Sequence, residues 1–288
     1  MQEPLPPLES DLPPEALRIL ALARRLTTPC GDGEIVWHAW GNDGDEPLVL
    51  LHGGSGSWTH WIRNVEASAA AGRRVLVPDL PGFGDSARPP GGQDADAVAP
   101  AIADGLQQLA GTAPVDVIGF SFGGLCGGLL AAAQPERVKR LVLVGAPGLG
   151  LRDKRLTLTP WRGVEDADKR MAAHRKNLAT LMLHDPAAID DLAVALQAAN
   201  VPRDRMHRRK LALTDILART LPTLACPFDA IYGEADALYV DTLPQLQAVF
   251  GTAPRFGELV LLPAAGHWVQ YEAPQAFQRE ALRLLARG

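Results

Sequence analysis

Residues 115–124 run Val-Asp-Val-Ile-Gly-Phe-Ser-Phe-Gly-Gly: an apolar stretch, a serine with a glycine two positions to either side, then a segment with helical spacing. A chain that turns tightly from strand to helix holds the residue at the turn in a strained backbone conformation. Residues two away crowd its side chain, so both must lack a Cβ. Gly119 and Gly123 meet that requirement around Ser121. The helix that follows aims its unpaired N–H groups at any negative charge forming beside the serine. With only six serines in the chain, chance supplies about 0.06 such patterns, so the stretch is taken as a nucleophile elbow.

Outward from the elbow, apolar runs bounded by turn residues recur at 34–40, 48–52, 74–79, 140–145, 228–232 and 258–262. Several are short and free of charge, as parallel strands covered on both faces should be. Helical spacing fills 59–71, 95–110, 122–134, 239–250 and 273–286. The alternation predicts an α/β fold, a mostly parallel sheet of about eight strands flanked by helices. It breaks once. Residues 148–221 hold only helix-like stretches, at 164–183, 186–199 and 203–219, separated by Pro160, Pro186 and Pro202, which predicts a helical insertion. Residues 1–14 are proline-rich and are expected to form a loose leader.

A serine hydroxyl is a weak nucleophile and needs a base, which in turn needs a carboxylate to orient it. Among seven histidines, His267 lies in the loop after the last apolar run, where open α/β sheets place their ligands. Asp236 lies in the loop after the preceding run, with Glu234 and Asp241 as competitors for the acid role. The order Ser121, Asp236, His267 suits this fold class. Leu48-Val-Leu-Leu-His-Gly-Gly-Ser-Gly-Ser-Trp58 ends an early strand in a glycine-rich loop, and backbone N–H groups fixed in advance stabilise an oxyanion well. Gly54 and Phe122 are the expected donors, and His52 is expected to brace the loop.

Composition excludes several classes. The net charge of −5 leaves no global basic footprint for nucleic acid. Residues 150–219 carry 14 Lys+Arg against 9 Asp+Glu, net +5, so the remainder carries 14 against 24, net −10. Three widely spaced cysteines without a Cys-x-x-Cys pair argue against a disulfide framework or zinc ribbon. The acidic, proline-rich start lacks the cations and apolar run expected of a signal peptide, and no apolar run approaches the ~18 residues of a membrane span. The expectation is a cytoplasmic protein acting on a small molecule, with no membrane or nucleic-acid partner, no metal and no cofactor; a homodimer is left open. Gly82-Phe-Gly-Asp-Ser-Ala87 imitates a dinucleotide fingerprint, but the Arg-Pro-Pro-Gly-Gly that follows forbids the helix it must open.

Five blocks together resemble the α/β-hydrolase fold superfamily: His52-Gly-Gly, Asp79-Leu-Pro-Gly-Phe-Gly-Asp-Ser, Gly119-Phe-Ser-Phe-Gly-Gly, Tyr232-Gly-Glu-Ala-Asp and Gly266-His-Trp. The resemblance implies a helical cap between the sixth and seventh strands, hence a core at 15–147 and 222–288 and a cap at 148–221. It implies a serine hydrolase with the triad Ser121, Asp236 and His267, and small carboxylic esters are the expected substrates. Trp58-Thr-His-Trp-Ile-Arg-Asn and Gly266-His-Trp-Val-Gln also resemble the meta-cleavage product hydrolases, which break a carbon–carbon bond in dienoates. Those enzymes usually carry asparagine where this chain has Phe120, and a cap arginine where spacing matches Gln197; Arg203, Arg205 and Arg63 are the substitutes considered. Trp58, Trp61, Phe120, Phe122 and Trp268 are candidates to line an acyl pocket, with core packing as the competing role. A binding protein that has kept the fold without catalysis is the alternative from another class.

Overall fold

The computed structural model describes residues 6–151 and 156–287. Among these, eight strands form one sheet: β1 (Arg24–Cys30), β2 (Gly33–Trp40), β3 (Glu46–Leu51), β4 (Arg73–Pro78), β5 (Val115–Phe120), β6 (Val138–Val144), β7 (Phe228–Gly233) and β8 (Phe256–Leu262). Their spatial order is β1-β2-β4-β3-β5-β6-β7-β8. β2 pairs antiparallel with β1 and β4, and the other pairings are parallel. β5 and β7 are buried at every position, as their mostly apolar sequences require, each with one buried aspartate, Asp116 and Asp229.

Alternate residues of the central strands feed two cores. Val49, Leu51 and Val117 pack on one face under the helices Ala95–Ala110 and Phe122–Ala133. Leu48, Leu50 and Ile118 pack on the other with Trp61, Val65 and the apolar side of the C-terminal helix Pro274–Leu285. β3 is flanked by β4 on one side and β5 on the other, so the chain changes direction of winding there. The crevice at the carboxyl ends of β3 and β5 is the place where such sheets take ligands, and it receives the glycine-rich loop and Ser121.

Three expectations need correcting. β1 escaped sequence reading because Arg-Arg-Leu-Thr-Thr-Pro-Cys is half polar and carries Pro29, tolerated here on an edge strand. The leader is not loose from residue 6 onward: Leu8 and Leu12 are buried, and Leu8 N–H donates to both carboxyl oxygens of Asp85 at 2.9 and 3.0 Å. Residues 1–5 lie outside the described residues. The insertion falls between β6 and β7 as expected, with helices Ala167–Asn177, Asp191–Asn200 and Ile216–Thr220, but 203–219 is not one helix. Its segment Arg203-Asp-Arg-Met-His-Arg-Arg-Lys crowds like charges, and its arginines reach outward to carbonyls and carboxylates instead.

The loop after β4 settles the dinucleotide imitation. Gly82 and Gly84 have φ of +88° and +48°, and a Cβ on Gly84 would stand 2.2 Å from Asp79 Oδ2. These glycines wrap a buried carboxyl, and helix begins only at Ala95. No helix among the described residues is long and apolar enough to cross a membrane.

Candidate active site

Ser121 stands between β5 and the helix Phe122–Ala133 with φ 50° and ψ −119°, a conformation serine adopts only under constraint. The glycines around it make the turn possible. A Cβ on Gly119 would lie 2.5 Å from Gly123 O, and one on Gly123 would lie 2.4 Å from Leu51 O at the end of β3. Ser121 N–H donates to Val144 O at 2.7 Å, tying the turn to β6.

The loops after β7 and β8 bring the other two side chains to it. Asp236 is fully buried; its Oδ1 accepts from Leu238 N–H at 2.9 Å and its Oδ2 from His267 Nδ1 at 2.8 Å. With Nδ1 donating, His267 Nε2 is left as the acceptor, and Ser121 Oγ lies 2.9 Å from it. The competitors Glu234 and Asp241 are exposed. Gly145, with φ +54°, passes so close that a Cβ there would sit 3.0 Å from His267 Cε1; sequence reading did not single it out.

Against known proteins, residues 46–274 match the alpha/beta hydrolase fold. The chain belongs to that family. It is 30% identical over 279 residues to a 2-hydroxy-6-oxononadienedioate/2-hydroxy-6-oxononatrienedioate hydrolase of Pseudomonas sp., covering 89% of this chain and 94% of the relative. It is 28% identical to an enzyme of the same description from Comamonas testosteroni, covering 84% and 88%. Among solved structures it resembles the esterase RhEst1 from Rhodococcus sp. ECU1013, with a TM-score of 0.73 and 25% identity over 93% of this chain and 100% of that one.

In this hydrolase the glycine-rich loop presses on Ser121: a Cβ on Gly53 would come 3.2 Å from Ser121 Cβ. His52 accepts from Leu80 N–H through Nε2 at 2.8 Å, so its Nδ1 carries the proton and donates to Gly53 O at 2.7 Å. Full burial pushes its pKa down to about 4, keeping it neutral. The unforeseen partner is His60. Gly53 N–H donates to His60 Nδ1 at 3.2 Å, while His60 O accepts from Trp268 Nε1 at 2.9 Å. Burial, followed by the neighbouring His52 and His267, holds His60 well below the usual histidine range. With Gly53 N–H occupied, Gly54 N–H and Phe122 N–H remain without an acceptor among the described residues.

The aromatic candidates separate. Phe120 lies under the site, 5.0 Å from the His267 ring and 5.5 Å from His60. Trp268 stacks on Tyr271 at 4.2 Å. Trp61 is interior packing against Phe120 and Phe277, and Trp58 packs on Trp40 and His38. Trp58 borders a cavity of about 680 Å³ whose walls include Leu8, Leu17 and Leu20 and not Ser121. For both tryptophans the core role is the observed one, because the segment Trp58–Trp61 turns its rings under the sheet.

The arginine candidates are all engaged elsewhere. Arg63 donates to Asp190 and to Tyr271 O and stacks over the Tyr271 ring. Arg203 holds Asp11 and Asp85, and Arg205 caps the carbonyls of Phe83, Gly84 and Ser86. Gln197 is half-buried on the helix Asp191–Asn200. The cation beside the site is Arg209, whose Nη2 would lie 3.3 Å from a Cβ on Gly54. Its place within a basic run gave sequence reading nothing to distinguish it.

Proposed function

We infer that this chain is a serine hydrolase working through an acyl-enzyme, with small carboxylic esters as its first substrates. The hydrogen-bonded series Asp236–His267–Ser121 at a strained turn carries the inference. Ser121 Oγ attacks the carbonyl carbon as His267 Nε2 takes its proton, while Asp236 fixes the imidazole tautomer and stabilises the imidazolium. The carbonyl oxygen becomes an oxyanion facing Gly54 and Phe122 N–H, each such donor being worth about 3 kcal/mol in the transition state. The tetrahedral intermediate collapses, and His267 returns the proton to the departing alkoxide. Water, deprotonated by His267, then attacks the acyl-enzyme and releases the acid with Ser121 restored. Residues 148–221 act as the cap over this site.

Carbon–carbon hydrolysis of a dienoate is the second reading, favoured by the sequence relatives and by the guanidinium over Gly54. Against it, Phe120 offers no amide, and Arg209 already shares its charge with Asp204 at 2.8 Å. An anionic substrate loses several kcal/mol on entering an apolar pocket without a cation of its own.

One experiment addresses both points. Ser121→Ala should lower kcat for p-nitrophenyl acetate by roughly 10⁴-fold or more; retained turnover would remove the nucleophile assignment. In the wild type, kcat/KM for short p-nitrophenyl esters should exceed that for a 2-hydroxy-6-oxo-dienoate. A tenfold preference for the dienoate, about 1.4 kcal/mol in the transition state, would reverse the ranking and assign Arg209 to the substrate carboxylate.

A further inference from the structure

The turn that carries Gly54 packs against His60 and Arg209 and reaches another element through one side-chain hydrogen bond. Of the three residues between Gly53 and Ser57, Ser55 makes the side-chain hydrogen bond to another element: its Oγ–H donates to Asp204 Oδ2 at 2.5 Å. Asp204 belongs to the insertion, 149 residues further along the chain. Ser55 also has φ +54°, a left-handed conformation that only surrounding contacts can keep in a residue other than glycine. Two of the three non-glycine residues with positive φ among those described, Ser55 and Ser121, thus belong to the two loops that face each other across the site.

Asp204 is itself fixed. Its Oδ1 accepts from Met206 N–H at 2.9 Å, and Arg209 Nη1 donates to both its oxygens at 2.8 Å and to Met206 O at 2.9 Å. The guanidinium of Arg209 then lies over the rings of Phe83 and Phe122, 5.2 and 5.6 Å from their centres, with Nη2 against Gly54. The start of the same segment is tied to the loop after β4, where Arg205 N–H donates to Gly82 O at 3.0 Å. Residues 204–209 therefore touch both residues assigned above as oxyanion donors, from an element outside the sheet.

We propose that Asp204 is a positioning residue for the oxyanion site: by accepting the Ser55 hydroxyl it sets the direction of Gly54 N–H, so that the donor pair is complete only when this part of the insertion is seated on the core. The proposal rests on Ser121 as nucleophile and Gly54 as donor. A donor aimed in advance lowers the barrier to chemistry, whereas a loop free to turn must be ordered at the moment of reaction. Loss of the bond therefore acts on kcat and leaves ground-state binding of a small neutral ester nearly unchanged.

The test measures kcat and KM for p-nitrophenyl acetate in Ser55→Ala, Ser55→Gly, Asp204→Ala and the pair Ser55→Ala/Asp204→Ala, with Ser121→Ala as reference and Tm as the check on folding. Each single variant should lower kcat fivefold or more with KM within threefold of wild type. The pair should be no slower than its slower single, since both changes break one bond. Ser55→Gly relieves the left-handed backbone yet should stay as slow as Ser55→Ala. A loss in Ser55→Ala smaller than fivefold overturns the proposal, as does recovery in Ser55→Gly or a pair whose loss nears the product of the singles. If Asp204→Ala fails to fold, the two Ser55 variants still decide. An inactive Ser121→Ala beside a fully active Ser55→Ala removes the positioning role alone; an active Ser121→Ala removes the nucleophile on which it rests.

Discussion

Gly145 shows how narrowly the site is fitted at the level of single residues. It follows β6 in the left-handed region, and a side chain there would meet His267 Cε1 at 3.0 Å, Nδ1 at 3.1 Å and Asp236 Oδ2 at 3.4 Å. Gly145→Ala adds a strained backbone, costing of order 1 kcal/mol, and presses one methyl on His267 and Asp236. Turnover should suffer more than stability: kcat for p-nitrophenyl acetate should fall at least tenfold while Tm drops by only a few degrees. Equal activity in both proteins would show that the imidazole tolerates displacement. Ser121, Asp236 and His267 were legible in the sequence because each follows an apolar run in a loop with its own local signature. Gly145 was not, because its importance comes from a contact with a residue 122 positions away. His60 escaped for a related reason: nothing in Trp-Thr-His-Trp announces that Nδ1 will accept from Gly53 N–H.

Among elements, the central parallel strands were the easiest to read, since burial on both faces leaves them few polar residues to confuse the pattern. Asp229 is an instructive departure, a carboxyl near the start of the mostly apolar strand β7 with no exposure at all. It accepts from Arg140 Nη1 on β6 at 3.1 Å, from Glu258 N–H on β8 at 3.0 Å and from Arg287 Nη1 at 3.3 Å, so one side chain joins three strands and the C-terminal end of the chain. Asp229→Ala leaves the buried Arg140 guanidinium without its carboxylate, a loss of about 3–5 kcal/mol. The urea midpoint should fall accordingly, and less in Asp229→Asn, which keeps acceptor oxygen. An unchanged midpoint in Asp229→Ala would mean that water reaches Arg140. The insertion was legible as helical but not in detail, because residues 203–210 are shaped by what Arg203 and Arg205 grip on the loop after β4 and by the Arg209–Asp204 pair within the segment, and not by any periodicity of their own.

Across the whole molecule, the same burial that builds the site makes it sensitive to acid. His38 and His52 both lie on the loop-bearing side of the sheet's first half, and desolvation lowers each from 6.5 to about 4. In the unfolded chain a histidine takes up its proton near 6.5, so between there and pH 4 the unfolded state binds more protons than the folded one. Stability is therefore complete above about pH 6.5 and is lost as pH falls through about 4, with a contribution of order 3 kcal/mol for each residue. His38 isolates the effect. Neither of its ring nitrogens makes a hydrogen bond, its neighbours are the Trp40 and Trp58 rings, and the charged groups acting on it are Asp79, 4.0 Å away, with Asp85 and Arg25. His38→Phe keeps a flat ring among aromatic neighbours and removes the proton site. Thermal melts at pH 7 and pH 4.5 should show the wild type losing Tm on acidification and His38→Phe losing distinctly less, with the two proteins close together at pH 7. A wild-type Tm that does not move between those pH values would mean that these histidines are protonated in the fold, and an equal fall in both proteins would transfer the acid sensitivity from His38 to the other buried histidines, His52 and His60.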